Sequence, residues 1–432
     1  MTSRADSTRA FVWFWLPGQT EPVVAGRLET AGDILTFTYG QSYLAREDAV
    51  PLYLPELPLR RGRIDPRGNL RAPGVIDDAG PDAWGQRVVM RHVIDTAAFD
   101  ADPAELSALT YLLESGSDRI GALDFQNSAE TYRSRNGGTA SLEEMMEAAD
   151  KVQRGEPLTP NLDLALLHGS SVGGARPKAL IKDGGRKLIA KFSSTTDTYE
   201  VVKGEFMAME LARRAGLDAA RVELRQVMGK DVVLVERFDR EEKGSGESRR
   251  AIVSALTMLE LDAVREGRYS TYYDLAQLIR QRFTDPRPTL RELFSRITFN
   301  ILVGNIDDHA RNHAAFWDSR SEMLTLTPAY DICPQPRSGL TAQQIMAFAP
   351  DPSSFTGVRD SKLELVVQAG DRYLISEADA REIIDQQIET IAGQWDEVAD
   401  AGKLTEGERL DFRRRQFLNP YAFEGYSTPN PW

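Results

Sequence analysis

An α+β fold is predicted, in which a sheet-rich N-terminal module precedes a small β-lobe with one helix and then a largely helical lobe. Three observations lead there. Residues from about 10 to 60 alternate apolar and polar between Gly and Pro punctuation. Two hairpin signatures flank a single helical stretch between Lys178 and Phe238. From about Ile252 the spacing is mostly helical, up to an irregular tail at Asn419 to Trp432. The boundaries fall at 1–160, 161–250 and 251–432.

In the first part, Phe11 to Leu16 reads as a strand, and Phe37-Thr38-Tyr39 and Tyr43-Leu44 read as pieces of the same small antiparallel sheet. The pattern turns helical from Pro81 to about Glu114, then Ile120 to Phe125 reads as another strand. Leu142 to Val152 is a short helix with Glu in its first turn, as the helix dipole favours. Pro157 and Pro160 mark a boundary, and a second block begins near His168. There, Lys178 to Lys182 and Lys187 to Phe192 flank the turn Asp183-Gly184-Gly185-Arg186. A helix follows at about Val202 to Ala215 and is stopped by Gly216. The second hairpin, Val222 to Phe238, turns at Met228-Gly229-Lys230-Asp231. Glu241 to Arg250 is charged and Gly/Ser-rich, which predicts a mobile loop. No internal repeat or long low-complexity tract interrupts this order. It is the two-lobed plan of a protein kinase with an extra N-terminal module.

Composition narrows the setting. The 432 residues are 41% hydrophobic and 27% charged, an ordinary soluble balance, and long enough for a large core. No apolar run approaches the roughly 20 residues that span a bilayer. The Phe11–Leu16 run is too short for a signal peptide and lacks a small-residue cleavage site. The single cysteine, Cys333, excludes an internal disulfide framework and a cysteine-rich zinc site. A cytoplasmic protein with no membrane partner is expected. The net charge of −13 repels naked nucleic acid at long range, while leaving a basic protein as a possible partner. Arg60-Arg61-Gly62-Arg63 and Arg413-Arg414-Arg415 are the basic clusters, and both read as solvated surface.

The strongest chemical signal is Asn305-Ile306-Asp307-Asp308-His309-Ala310-Arg311-Asn312, followed by Tyr330-Asp331. Phosphoryl transfer needs one carboxylate to orient an acceptor hydroxyl and take its proton. It also needs an amide and a second carboxylate to hold Mg²⁺ against the phosphates. Kinase catalytic loops place the Asn five residues after the catalytic Asp, the spacing of Asp307 and Asn312. Asp331 then lies beside apolar residues, as a metal-binding Asp at a strand end would. A surface turn at Asp307–His309 and a helix cap at Asp331 would account for the residues separately, and His309 with His313 is a possible ligand pair for a metal-dependent hydrolase. The joint spacing favours a nucleotide-dependent phosphotransferase.

The β-lobe supplies further parts. Ser170-Ser171-Val172-Gly173-Gly174-Ala175-Arg176-Pro177-Lys178 opens the first hairpin, and adjacent glycines let backbone N–H groups approach phosphates. A tight turn alone would also explain them. Lys191 sits in the apolar strand Leu188-Ile189-Ala190-Lys191-Phe192 and wants an anionic partner: ATP phosphates, or Glu205 on the next helix. A strand-end lysine reaching water is the plainer option. The apolar run Val232–Val235 stops at Glu236, where Glu236-Arg237-Phe238 would be the hinge against adenine, or an ordinary exit turn.

Taken together, these segments resemble the HipA family. The likeness rests on Ser171 to Lys178, Val235-Glu236-Arg237-Phe238-Asp239-Arg240, Asn305 to Asn312 and Tyr330-Asp331-Ile332, in the family's order. Phe37 to Pro58 and Asp78-Ala79-Gly80-Pro81-Asp82-Ala83-Trp84-Gly85 look like its N-terminal module. The resemblance implies a serine/threonine protein kinase, the toxin of a type II toxin–antitoxin pair. Asp307 is then the catalytic base, Asn312 and Asp331 bind Mg²⁺, and Lys191 meets the α/β-phosphates of ATP. Residues Gly173 to Lys178 form the phosphate loop with Val172, and Glu236, Arg237 and Phe238 the adenine hinge. His309, Ala310, Arg311 and Tyr330 complete the nucleotide site, and Ser171 is the autophosphorylated serine that switches the kinase off. Its implied partners are a separate HipB-like helix-turn-helix antitoxin, through which alone it meets DNA, and a protein substrate such as an aminoacyl-tRNA synthetase. Gly173, Arg176 and Pro177 stand where the best-known pattern has Ala, Gln and Glu, which puts the loop's regulation in question. Two other functions fit the same residues less well: a small-molecule phosphotransferase on this scaffold, and a non-catalytic co-repressor of an antitoxin.

Overall fold

The computed structural model describes residues 7–94, 102–136, 140–172, 174, 176–194, 197, 199–244, 246–262, 266–337, 339 and 341–432. The N-terminal sheet holds β1 (Arg9–Phe14), β2 (Val23–Ala31), β3 (Ile34–Tyr39), β4 (Arg63–Ile64) and β5 (Leu123–Gln126) in the antiparallel order β4-β3-β2-β1-β5. Its apolar face is inward, with Ala10, Val12, Phe14, Leu28 and Phe37 all buried. Tyr43-Leu44, expected in this sheet, instead lies in α1 (Gln41–Leu44). The reason is local: Gly40 gives its N–H to the Ala25 carbonyl at the end of the β3 ladder, and the chain then turns, with the Leu44 N–H on the Gly40 carbonyl. Tyr43 stays buried because its hydroxyl donates to the Val50 carbonyl at 2.7 Å.

Five helices accompany this sheet: α2 (Gly74–Asp78), α3 (Ala83–Ile94), α4 (Ala108–Glu114), α5 (Leu142–Gln153) and α6 (Pro160–His168). The α5 start carries a full capping box between Ser141 and Glu144. At the expected boundary, Thr159 caps α6 and Pro160 takes its first turn, where a missing N–H costs nothing.

The β-lobe sheet runs β6-β7-β9-β8, from β6 (Lys178–Asp183), β7 (Arg186–Phe192), β8 (Val222–Val227) and β9 (Lys230–Glu236). Both predicted hairpin turns form, with positive φ at Gly184 and Gly185 and at Met228 and Gly229. One sheet face, with Ala179, Leu188, Ala190 and Leu234, packs on Trp84 and Val88 of α3, Met145 of α5 and Leu166 of α6. The other face packs on α7 (Val201–Arg214). The N-terminal helices and the β-lobe therefore share a core.

The segment expected as a mobile loop is a hairpin, β10 (Arg240–Lys243) with β11 (Gly246–Arg249). Two of its charges point inward: Arg240 is buried against Asp118 and Asp239, and Arg249 stacks over the Trp15 ring at 3.5 Å. The remaining lobe contains β12 (Ile252–Ser254), α8 (Ala255–Met258), α9 (Tyr272–Arg282), α10 (Pro286–Val303), β13 (Ala314–Asp318), β14 (Met323–Leu326), β15 (Ala349–Asp351), β16 (Ser354–Val358), α11 (Leu363–Gln368), α12 (Glu377–Ala401) and α13 (Glu406–Phe412). Helix α10 is its centre: Leu290, Phe294, Ile297 and Ile301 are fully buried, and α9 and α12 pack on it. Both basic clusters lie on the surface as expected. Among the described residues, no helix is long and apolar enough to cross a membrane.

The packing of α3 generates a stability prediction. A Cβ on Gly85 would lie 1.9 Å from the Ser170 carbonyl oxygen, a backbone atom, whereas one on Gly393 within α12 meets nothing within 4 Å. Gly85→Ala should destabilise by about 1–3 kcal/mol, and Gly393→Ala should stabilise by roughly 0.5–1 kcal/mol through helix propensity. Denaturant unfolding checks both signs; an undisturbed Gly85→Ala protein would contradict the close approach.

Candidate active site

Helix α10 ends at Gly304 in the left-handed conformation, and the chain after it is anchored by the acid next to the expected base. Asp308 is buried and accepts from the Tyr272 hydroxyl at 2.5 Å and the Asn300 amide at 2.7 Å, with His313 Nε2 also at 2.7 Å. Burial alone would raise its carboxyl; the His313 contact and the Tyr272 hydrogen bond outweigh that and hold it below the ordinary value. With Asp308 turned inward, Asp307 is left exposed. A 3-10 turn, Ala310–Asn312, then brings the Asn312 amide back to the Asp307 carbonyl at 3.4 Å. The Asp307 carboxyl is raised, by partial burial first and then by the charges of Asp331 and Asp308, with His309 opposing. Two of the predicted acids thus sit within electrostatic reach of each other.

Asp331 follows Tyr330, whose hydroxyl donates to the Arg311 carbonyl at 2.7 Å and so ties the two loops together. Its backbone is left-handed, with φ 60°, an uncommon state for a residue other than glycine. Lys191 on β7 reaches it: the ammonium lies 2.5 Å from Asp331 Oδ1 and 2.5 Å from Glu205 Oε1 on α7. Burial would lower the Lys191 pKa, but the two carboxylates raise it, so the side chain is an ammonium. In return, the Lys191 charge holds the Asp331 carboxyl well below the usual range. The Glu205 side chain is 4% exposed and that of Asp331 43% exposed, so only the latter retains an open flank for a ligand.

A second lysine lies beside the first. Lys178 faces Lys191 across the β6–β7 ladder and is buried. Burial, and then the Lys191 charge, push its pKa down to about 8. Its ammonium is beneath the glycine-rich loop: a Cβ on Gly174, at φ 111°, would lie 2.0 Å from Lys178 Nζ. Gly173 and Ala175 lie outside the described residues. Gly174 gives its N–H to Asp82 Oδ2 at 2.6 Å, so in this conformation that donor is engaged by the N-terminal module. Val172 is buried, Pro177 accepts the Phe192 N–H, and Arg176 pairs with Asp197 at 2.5 Å. Both serines are buried: Ser170 Oγ donates to the Leu167 carbonyl at 2.6 Å, while Ser171 Oγ has no hydrogen-bond partner.

The segment expected as the hinge, Glu236 to Phe238, leaves β9 with its side chains pointing in different directions. The Phe238 ring packs against Phe316 and Tyr330, both with centroids at 5.9 Å, beside the Asp331 loop. Glu236 is partly exposed at the end of β9. The Arg237 side chain instead turns into the N-terminal module, bonding Asp239 through Nε and Nη2 at 2.9 and 2.8 Å and the Asp118 carbonyl at 3.0 Å. Burial raises the Asp118 carboxyl, but Arg237, Arg240, Lys187 and Arg249 together hold it far below its ordinary value. His309 and His313 do not act as a pair, since His313 is committed to Asp308. Four contributors escaped notice: Asp308 and Tyr272, which hold the loop, and Asp77 and Asp82, which meet Arg311 at 2.8 and 3.4 Å. The last two sit in or beside the Asp78–Gly85 motif, and nothing local to it points towards Arg311.

Among the described residues, no group of three or more His, Cys, Asp or Glu side chains could hold a metal ion alone. Mg²⁺ needs only one or two carboxylates where substrate phosphates supply further oxygens. Asp331 with Asn312 fits such an ion, and its charge would relieve the Asp307–Asp331 repulsion.

Comparison with known proteins places the whole arrangement. Y4mE of Sinorhizobium fredii, named as a kinase, is 30% identical over 149 residues, 33% of this chain and 33% of that one. The serine/threonine-protein kinase toxin HipA of Shewanella oneidensis is 26% identical over 190 residues, 38% of this chain and 42% of the relative. The matches thus span about a third and two fifths of the length of these curated relatives. The solved structure of Shewanella oneidensis HipA with HipB and operator DNA shares the fold at TM-score 0.67 and 17% identity, over 94% of this chain and 95% of that one. The family descriptions agree with that likeness: HipA N-terminal domain matches residues 19–126, and HipA-like C-terminal domain matches residues 170–395. Since the second covers more than half of the sequence, the chain belongs to the HipA family.

Proposed function

We propose that this chain is an ATP- and Mg²⁺-dependent serine/threonine protein kinase, the toxin of a type II toxin–antitoxin pair, working in the cytoplasm. The observation that carries the reading is Lys191 bridging Glu205 and Asp331 at 2.5 Å each, because a strand lysine paired with a helix glutamate beside a metal-type aspartate is the working state of a kinase cleft. Lys191 and Lys178 meet the phosphates. Asp331 and Asn312 would hold Mg²⁺, whose charge would offset that of the phosphates. The exposed Asp307 carboxylate, made more basic by its raised pKa, takes the proton of the acceptor hydroxyl as that oxygen bonds the γ-phosphorus and the bond to the bridging oxygen breaks, releasing ADP. Phe238 walls the base. The Shewanella oneidensis relative, a kinase toxin, and the HipB and operator DNA in the related structure support a separate HipB-like antitoxin as partner. A serine of a translation protein, such as an aminoacyl-tRNA synthetase, is the proposed target.

Asp307→Asn should lower transfer to lysate proteins by about 10²–10⁴-fold while leaving MgATP-analogue binding within a few-fold, read by labelled phosphate and calorimetry. Near-normal transfer would remove Asp307 from the role of base.

Lys178 adds a pH dependence. Its pKa of about 8 lies below the ordinary lysine value, so the ammonium is present below that pH and lost above it. Affinity for a MgATP analogue should therefore fall as pH rises from 7.5 to 9.5, and Lys178→Met should bind weakly with a flat profile. A wild-type affinity that is flat over the same range would exclude Lys178 from the phosphates.

Ser171 is the proposed autophosphorylation site. Phosphopeptide mass spectrometry of protein incubated with MgATP should find phosphate on Ser171, absent from the Asp307→Asn variant; modification of neither Ser170 nor Ser171 would contradict this.

A further inference from the structure

Two loops of the cleft converge on one acidic side chain of the N-terminal module. Asp82 Oδ2 accepts the Gly174 N–H at 2.6 Å, and Asp82 Oδ1 faces Arg311 Nη1 at 3.4 Å. The next turn of chain adds to the grip: the Trp84 N–H donates to the Gly174 carbonyl at 3.2 Å, and the Trp84 indole N–H to the Lys178 carbonyl at 3.2 Å. Gly85 lets the start of α3 lie flat on the Ser170 carbonyl. Arg311 in turn holds Tyr330 through its own carbonyl. A single carboxylate thus stands between the glycine-rich loop and the loop of Asp307 and Asn312, whose Arg311 carbonyl accepts from Tyr330.

The module has other anchors besides Asp82. Asp78 binds the Ser254 N–H and hydroxyl at 2.7 Å each, and Arg237 and Arg240 hold Asp118 and the Arg119 carbonyl from the hinge. Asp82 is spare for a different task. We infer that Asp82 is a positioning residue of the kinase site, tethering the glycine-rich loop to the catalytic loop so that the N-terminal module sets the height of the loop over the nucleotide. The inference rests on the kinase reading above. Its physical basis is that a charge-assisted acceptor fixes a glycine whose backbone is otherwise free to move, and that phosphate contacts are lost when such a loop shifts by about an ångström.

The full-length wild type, Asp82→Ala, Asp82→Asn and Asp82→Glu are compared, with Asp65→Ala as a control on an exposed acid of the same module. Initial rates in ATP, calorimetry with a non-hydrolysable MgATP analogue, and amide exchange over residues 170–178 are measured. Asp82→Ala should raise the KM for ATP and the analogue Kd roughly tenfold or more, with a smaller change in kcat and faster exchange in that segment. Asp82→Asn keeps an acceptor for the Gly174 N–H and should recover most of the KM. Asp82→Glu keeps the charge but displaces the acceptor by a methylene, and should not; this contrast stands even if the alanine variant fails to fold. Unchanged KM and exchange in both Asp82→Ala and Asp82→Glu would overturn the inference. A lowered KM would also overturn it, by making Asp82 a competitor of the phosphates. A wild type that binds no nucleotide would instead overturn the kinase reading.

Discussion

An ammonium enclosed between a sheet and a helix has to be answered by negative charge, because the desolvation of an unpaired one costs several kcal/mol. Lys191 lies between Ala190 and Phe192, both buried, and it is answered twice, by Glu205 and by Asp331. The two acids come from different parts of the chain. One fixes the rotation of α7 against the β-lobe sheet, and the other fixes where the helical lobe presents its loop. Asp331 accepts a left-handed backbone to be there, a state worth about 1–3 kcal/mol of strain. Asp307 and Asn312 are then placed at second hand, through Tyr330 on the Arg311 carbonyl and Asp308 on Tyr272, Asn300 and His313.

Besides the apolar core it shares with the β-lobe, the N-terminal module is joined to this cleft by charge. Asp118, Arg237, Asp239 and Arg240 form a dense network at the exit from the β-lobe, with the Gly121 N–H also on Asp239 at 2.8 Å. Buried networks of this kind gain little net stability over a well-packed apolar contact. They do penalise every misaligned docking, since each displaced member leaves an uncompensated charge. The strand-end sequence Glu236 to Arg240 therefore joins two elements: Phe238 faces the cleft, while the charged neighbours orient the module that reaches round to Gly174.

The parts of the molecule legible in sequence are those fixed over a few residues. Alternation and paired positive-φ turns located both β-lobe hairpins, and the five-residue spacing of Asp307 and Asn312 located the loop. Residue type does not say which way a charge points. Glu241 to Arg250 looked like solvated loop because Arg240 and Arg249 have partners on another module, at Asp118 and over Trp15. Asp308 was passed over beside Asp307 for the same reason: two adjacent carboxylates are alike in sequence, and only Tyr272 and Asn300 distinguish the buried one. Asp82 is 92 residues from Gly174 and 229 from Arg311, separations at which no periodicity survives.

The buried serines give these contacts a further consequence. Ser171 Oγ is enclosed without a hydrogen-bond partner, and Asp82 and Asp331 lie within electrostatic reach of Lys178, the last residue of the loop that Ser171 precedes. A phosphate there would add roughly −1.5 to −2 charge in a space that already excludes solvent. Ser171 can therefore carry phosphate only if its loop leaves the cleft. Leaving breaks the Gly174 bond to Asp82, the Trp84 bond to Gly174 and the Trp84 bond to Lys178, while freeing the Lys178 ammonium to meet solvent. Were Ser171 phosphorylated, the loop position would be a balance between module contacts that hold it in and the buried charge that drives it out. On the proposed kinase reading, nucleotide phosphates would weigh on the inward side through Lys178 and Lys191, and a modified loop would oppose a filled cleft.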